Sequence, residues 1–386
     1  MTQLSIDRDF ITTTLTDLVR INSVNPSLVS GAPGEGEIAA HVEALMRRLG
    51  METTVHEAAP GRPSVVGVLK GTGTGRSLML NGHLDTVDVA GMADPFSAEI
   101  RDGRLYGRGS QDMKGSLAAC FGAVKAIVDG RVTLAGDLLV AAVADEEHAS
   151  LGTADIVGRY AVDGAIITEP TDIELCTAHK GFVWVEVETL GKAAHGSRFQ
   201  EGIDANLLMG RFLYELATLE RELRSRPPHP LLGPPSLHAA TLAGGSGLST
   251  YAAHCKLQIE RRTVPGESEQ QILSELQAIV DRLAAADPTF RATVRPLFSR
   301  EPFEARHDSA VIAAVDQAAT RVLGRPLARI GKSGWMDSAL LGAAGVDTVI
   351  LGPSGGGLHT EVEWVDLDSV FKTSAVLAEA AATYCR

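Results

Sequence analysis

The chain has 386 residues, of which 45% are hydrophobic and 22% charged, and a formal net charge of −13 at pH 7. At about 150 residues per domain this suggests two or three ordinary globular domains. The acidic balance argues against nucleic-acid and anionic-membrane partners, and the longest apolar run, residues 138–144, is far too short to span a bilayer.

The first 20 residues read as an amphipathic helix carrying Phe10, Ile11, Leu15, Leu18 and Val19, with no basic segment leading into an apolar one as in an export signal. Residues 37–49 have helical spacing and stop at Gly50. Residues 65–69 and 78–80 are short apolar runs joined by Gly71-Thr-Gly-Thr-Gly75, which lacks a Gly-Lys-Ser/Thr ending and is read as a hairpin turn rather than a phosphate cradle. A helix over 113–128, a buried strand over 138–144 and another over 165–168 complete an alternation that implies an α/β fold, a sheet flanked by helices. The middle changes character. Strands at 182–189, 236–242, 255–263 and 290–294, with helices at 205–223 and 268–286, give the order β-α-β-β-α-β of a small ferredoxin-like unit. The expected organisation is therefore a larger α/β domain, residues 1–175 and 293–386, interrupted by an inserted domain, 176–292. Beyond it come a helix at 308–323, a helix piece at 338–343 and a strand at 348–351. Cys120, Cys176, Cys255 and Cys385 are scattered and form no C-x-x-C pair. They suggest neither a disulfide framework nor a thiolate zinc site, but buried thiols of a cytoplasmic protein.

Five polar clusters share one kind of position. His83 and Asp85 follow the run 78–80; Asp145, Glu146 and Glu147 follow 138–144; Glu169 follows 165–168; His359 lies in the Gly-rich loop after 348–351; and Asp112 precedes the helix starting near Met113. In open α/β sheets ligands collect at the carboxyl ends of the strands, so these clusters would converge. Two imidazoles (His83, His359) with carboxylates Asp112, Glu147 and Glu169 suit zinc, with manganese or cobalt as alternatives. One bridging carboxylate, with a His and a carboxylate on either side, makes a two-cation centre that polarises a carbonyl and acidifies a shared water.

Several stretches carry a resemblance. They are Gly82-His-Leu-Asp-Thr-Val87, Asp94-Pro-Phe96, Gly103-Arg-Leu-Tyr-Gly-Arg-Gly-Ser-Gln-Asp-Met-Lys-Gly115, Asp145-Glu-Glu147, Thr168-Glu-Pro170, Gly191-Lys-Ala-Ala-His-Gly-Ser197, Arg262-Thr-Val-Pro-Gly-Glu267 and His359-Thr-Glu-Val-Glu-Trp-Val365. In this order they resemble the M20 family of metallopeptidases and deacylases, which includes acetylornithine deacetylases, succinyl-diaminopimelate desuccinylases, aminoacylases and glutamate carboxypeptidases. The resemblance implies that His83, Asp112 and Glu169 hold one divalent cation and that His359, Glu147 and Asp112 hold the other, with Asp112 bridging. It implies a cis peptide between Asp112 and Met113. Asp85 would accept a hydrogen bond from the far nitrogen of His83 and fix its tautomer. Glu146 would be the general base toward a water shared by the cations, passing its proton to the leaving amine.

The inserted domain would be the family's lid or dimerisation domain and would make the protein a homodimer. His195 would stabilise the tetrahedral oxyanion, in dimers that of the partner subunit. Arg262 would clamp a substrate carboxylate with its planar fork, with Lys332 adding positive charge, while neighbouring Arg261 reads as a surface charge. Where the family carries Gly-Gly-x-x-x-Asn-x-x-Pro, this chain has Ser249 at the Asn position and Ala252 at the Pro, which alters the contact to the substrate. The implied activity is hydrolysis of an N-acyl amino acid, a small molecule with a free carboxylate. A dipeptidase or carboxypeptidase of the glutamate carboxypeptidase kind is the alternative, and a two-metal phosphoesterase or a non-catalytic scaffold are remoter ones.

Overall fold

The apolar runs that dominate the sequence become the buried strands of a central mixed sheet. The structure, a computed structural model, describes residues 4–386; the first three residues of the segment read as an N-terminal helix lie outside the described residues. The described chain forms two compact units, the first made of residues 4–177, Ala305–Ile330 and Met336–Arg386, the second of Ala178–Glu304 with Gly331–Trp335.

In the first unit the strands run in the order Glu52–Glu57, Pro63–Leu69, Leu138–Val143, Leu78–His83, Gly164–Ile167, Asp347–Ile350 and Leu175–His179, the last carrying the chain out of the unit. The four from Leu138–Val143 to Asp347–Ile350 are mutually parallel and buried along their whole length. Continuous Val/Ile/Leu/Ala character is what a strand covered on both faces requires. Because they are parallel, their carboxyl ends lie on one side of the sheet. The hairpin expected between 65–69 and 78–80 does not form. Pro63–Leu69 and Leu78–His83 do not pair; Leu138–Val143 lies between them, antiparallel to the first and parallel to the second. The loop 71–75 instead crosses the segment entering that strand. A Cβ on Gly71 would sit 2.4 Å from the Gly136 carbonyl oxygen and one on Gly136 1.9 Å from that of Arg76, so these glycines serve close backbone approach.

The helix Gly115–Asp129 packs on the terminal helix Leu367–Tyr384, which also meets Ala310–Leu323. Leu367–Tyr384 is buried on nearly every side from Thr373 to Tyr384; its exposed charges, Asp368 and Lys372, pair with each other in the first turns, and Glu379 meets Arg321 from within. A helix with so little exposed surface belongs in a core. Outside the main sheet a second small sheet joins Gly355–Gly356, Trp364–Asp366, Arg104–Tyr106 and Glu99–Arg101. It suspends the loop that contains His359. No helix among the described residues is long and apolar enough to cross a membrane.

The second unit has the order strand, helix, strand, strand, helix, strand. Its four strands form an antiparallel sheet in the order Ser236–Gly244, His254–Thr263, Gly181–Leu190, Ala292–Arg300. Helices Ala205–Ser225 and Glu269–Ala286 bury Phe212, Leu216, Ile272, Leu276 and Ile279 against Val183, Val185, Val187, Leu257 and Ile259. Asp204 and Ser268 cap the two helices, the latter in a reciprocal capping box with Gln271. The expected boundary at 292 falls at the start of an edge strand and is corrected to Glu304. A bulge between Pro296 and Phe298 breaks the strand's alternation, so the pattern fades before the strand ends.

Candidate metal centre

Each parallel strand delivers its chemistry at its carboxyl end. His83 is the last residue of Leu78–His83. The turn after Leu138–Val143 opens with Asp145 in the left-handed region (φ 68°), a conformation Asp tolerates better than branched residues do, and presents Glu146 and Glu147. Glu169 follows Gly164–Ile167, and the Gly352 loop packs against its backbone. Asp112 lies in the irregular turn before Gly115–Asp129, and its peptide bond to Met113 is cis. His359 sits at φ 57° in the loop held by the small sheet.

These five points meet. His83 Nε2 lies 3.1 Å from Asp112 Oδ1, 3.6 Å from Glu169 Oε1 and 4.0 Å from Glu146 Oε2. His359 Nε2 lies 3.3 Å from Asp112 Oδ2 and 3.3 Å from Glu147 Oε2. The two oxygens of Asp112 thus face the two imidazoles, one each. Ligand atoms of His83, Asp112 and Glu147, and again of His83, Glu146 and Glu169, lie within 4.8 Å of one another.

The electrostatics call for a cation. His83 is 1% exposed and its Nδ1–H donates to the Asp85 backbone carbonyl at 2.9 Å, which turns Nε2 toward three carboxylates. Burial, then the Asp112 charge, pushes the Glu169 carboxyl well above its usual range; burial, then Glu169, does the same to Glu146. Burial and Asp112 also raise Glu147. Asp112 alone is held low: burial opposes its charge, but the His359 and His83 bonds overcome it. The hydrogen bonds that His359 donates to the Asp112 and Glu147 carboxylates lift its pKa to about 10. One oxygen of Glu147, Oε1, is buried without a hydrogen-bond partner. Protons held this tightly by clustered carboxylates are what a divalent cation replaces, and the histidine–carboxylate donor set fits zinc, cobalt or manganese.

Comparison with known proteins agrees. Residues 79–383 match the profile of peptidase family M20/M25/M40. The chain belongs to this family. The M20 chain is 28% identical over 379 residues to an acetylornithine deacetylase of Myxococcus xanthus, covering 96% of this chain and 97% of that one. It is 28% identical over 382 residues to an N-formyl-4-amino-5-aminomethyl-2-methylpyrimidine deformylase of Bacillus subtilis, covering 90% and 89%. Among solved structures it resembles the aminopeptidase PepT of Bacillus cereus (TM-score 0.82, 17% identity, 99% and 100% covered). It also resembles the YXEP protein of Bacillus subtilis, a dinuclear metal-binding peptidase of the M20 family (TM-score 0.76, 15% identity, 98% and 99% covered). The M20 chain is accordingly a hydrolase of a peptidase and deacylase family.

Behind the M20 centre lies a buried polar network that sequence spacing does not reveal. The expected bond from His83 to the Asp85 carboxylate is replaced by the bond to the Asp85 backbone carbonyl; the carboxylate stands 3.7 Å from Nδ1. That carboxylate accepts instead from the Glu146 and Glu147 amides (3.1 and 3.2 Å) and from Asn25 Nδ2 (2.7 Å). Asp85 therefore anchors the turn that presents Glu146. The other side of the turn is held by Arg62, which forks onto Glu35 at 2.6 and 2.8 Å and reaches Asp145 at 2.8 Å. Arg62→Ala would leave two buried carboxylates without their counter-charge and should cost about 3–5 kcal/mol. Urea unfolding measures this; a loss below about 1 kcal/mol would mean that solvent reaches the pair.

Four residues expected at the site, His195, Ser249, Arg262 and Lys332, belong to the second unit. His195 is exposed, with Nδ1 2.9 Å from Ser197 Oγ, and bridges Thr250 through its backbone. Gly196 N–H donates to the Ser249 carbonyl at 2.8 Å, so His195 and Ser249 are neighbours on adjoining loops. Arg262 projects from the sheet face that the helices leave bare; its guanidinium lies 5.4 Å from the Phe182 ring centroid and donates to the Ser333 carbonyl. Lys332 ends the short strand Arg329–Lys332, where its carbonyl accepts from the Lys180 amide. Arg261 is not the surface charge expected. It is 2% exposed and pairs with Glu267 at 2.5 Å, because odd-numbered positions of this strand face the helices.

Proposed function

We propose that the chain is a dinuclear metal-dependent amidohydrolase that cleaves an N-acyl amino acid. The observation that carries this reading is the pair of Asp112 oxygens, each 3.1–3.3 Å from a different imidazole nitrogen. His83, Asp112 and Glu169 would hold one cation, and His359, Glu147 and Asp112 the other, zinc being the first choice with cobalt or manganese next. When bound, such a pair polarises the amide carbonyl and lowers the pKa of a shared water. Glu146, fixed through its backbone by Asp85, lies beside His83 and Glu169 and takes the proton at its carboxylate, then delivers it to the departing amine.

We read the second unit as a ferredoxin-like lid and dimerisation domain. Its edge strand Ser236–Gly244 has one unpaired side, and Leu207, Tyr214 and Leu242 are exposed, which supports a homodimer. In this reading His195 donates to the developing oxyanion, Arg262 holds the substrate carboxylate, and Ser249 contacts the acyl group with a shorter reach than Asn. The four free, buried cysteines accord with a cytoplasmic protein.

His195→Ala should lower kcat by about 10²–10³-fold with unchanged cation content, as loss of one oxyanion donor does. A wild-type rate would return His195 to a plain loop role. The reading as a whole is tested by amine release from N-acetyl, N-formyl and N-succinyl amino acids, run beside dipeptides and a generic phosphoester. Acyl-amino-acid hydrolysis is expected. Turnover of dipeptides alone would make the enzyme a carboxypeptidase or dipeptidase, and phosphoester hydrolysis alone would overturn amide chemistry.

A further inference from the structure

The two imidazoles at the centre are held very differently. His83 is buried and belongs to a strand paired on both sides. His359 has a side chain 53% exposed and rides on a loop attached through two- and three-residue strands. Something else must set where its nitrogen stands, and the loop's only buried charge is Glu363.

Glu363 is 1% exposed, yet all its acceptor capacity is directed at the turn that carries Asp112. Oε2 accepts from Arg108 Nη1 at 2.7 Å and from the Gly109 amide at 3.0 Å; Oε1 accepts from the amides of Gln111 at 2.9 Å and Asp112 at 3.1 Å. Arg108, 2% exposed, returns the grip: its Nη2 donates to the carbonyl of Thr360, the residue after His359, at 3.0 Å, and its Nε to the Asp88 carbonyl at 2.7 Å. One ion pair therefore seizes the backbone of Asp112 with its anion and the backbone beside His359 with its cation. Neither side chain reaches the ligand atoms themselves.

We propose that the Arg108–Glu363 pair is a positioning clamp that sets the affinity of the His359-side cation. Asp112 has a second anchor, the His83 imidazole, whereas the His359 loop depends on the clamp for its register. Loosening the pair therefore spares the cation held by His83 and Glu169 and weakens the one held by His359 and Glu147. This inference rests on the two-cation reading above.

Chelator-stripped protein titrated calorimetrically with Zn²⁺ tests it, with melting followed by circular dichroism as a check on folding. Wild type should take up two equivalents. Glu363→Gln places an amide NH₂ against backbone N–H donors and should weaken one equivalent by about 10–100-fold while leaving the other within about threefold. Arg108→Lys keeps the charge but loses the fork onto Thr360; it should weaken the same equivalent to a smaller extent, and it serves alone if Glu363→Gln fails to fold. With Co²⁺ as probe, the visible absorption added by the second equivalent should fall in step. Folded variants that bind both equivalents as wild type does, or that weaken both equally, would overturn the clamp. A wild-type protein that binds a single equivalent would overturn the two-cation reading, and the clamp with it.

Discussion

Replacing Glu146 with glutamine should lower kcat by about 10²–10⁴-fold and leave cation content unchanged. Glutamine keeps the length and shape of the side chain and the amide hydrogen bond to Asp85, so the turn stays in place. What it loses is the basic oxygen. Glu146 Oε2 is farther from His83 Nε2, at 4.0 Å, than the Asp112 and Glu169 oxygens are, so removing its charge leaves the assigned ligand sets complete. There is also a stability signature. Glu146 is buried beside Glu169 and is pushed upward by burial and by that neighbour, so the cation-free variant should melt no lower than the cation-free parent. Turnover, elemental analysis and melting curves decide the matter together; a near-parental rate with full cation content would assign the proton transfer to another group.

Stripping divalent cations should abolish turnover and lower the melting temperature by roughly 10 °C relative to protein with cation at a thousandfold excess over its dissociation constant. Binding to the folded state alone contributes about 4 kcal/mol per site at that excess, hence about 8 kcal/mol for the pair, and at about 2.1 cal/mol/K of unfolding entropy per residue a chain of 386 residues shifts by roughly 1.2 °C for each kcal/mol. The physical origin is the group of four acidic side chains, Asp112, Glu146, Glu147 and Glu169, packed against two imidazoles. Re-adding Zn²⁺ should restore both rate and melting temperature. In Glu147→Ala the restoration of stability should be partial, since one side of the centre then lacks its carboxylate. Full activity in protein shown by elemental analysis to be free of divalent metal would remove the basis of the proposed chemistry.

Much of the centre could be read from the chain because its supporting strands are apolar throughout. Leu138–Val143 and Gly164–Ile167 contain no polar residue, so the first polar residues beyond each run stand out as strand-end chemistry. Pairing partners were harder to read. The run 65–69 and the run 78–80 are close in sequence, which suggests a hairpin, but a strand from far along the chain separates them. Arg62, Glu35, Arg108 and Glu363 look like ordinary surface charges because their partners lie 27 and 255 residues away. Asp85 shows a finer limit. Proximity to His83 is visible in the spacing, but whether the carbonyl or the carboxylate meets the ring depends on backbone torsions. The terminal helix Leu367–Tyr384 gives little periodic signal, since burial on nearly all sides removes the contrast between faces.

The strand Asp347–Ile350 closes one side of Gly164–Ile167, and His359 follows it, yet the second unit is inserted between these two parts of the chain. On a ribosome adding about 5–20 residues per second, roughly 190 residues separate the emergence of Glu169 from that of His359, a delay on the order of 10–40 s. During that time the nascent sheet has an open hydrogen-bonding edge at Gly164–Ile167, and the acidic cluster lacks one of its imidazoles. The inserted unit, with a core of its own, can finish folding meanwhile. Co-translational folding of this protein is therefore most exposed to mispairing in the interval before its last strand arrives.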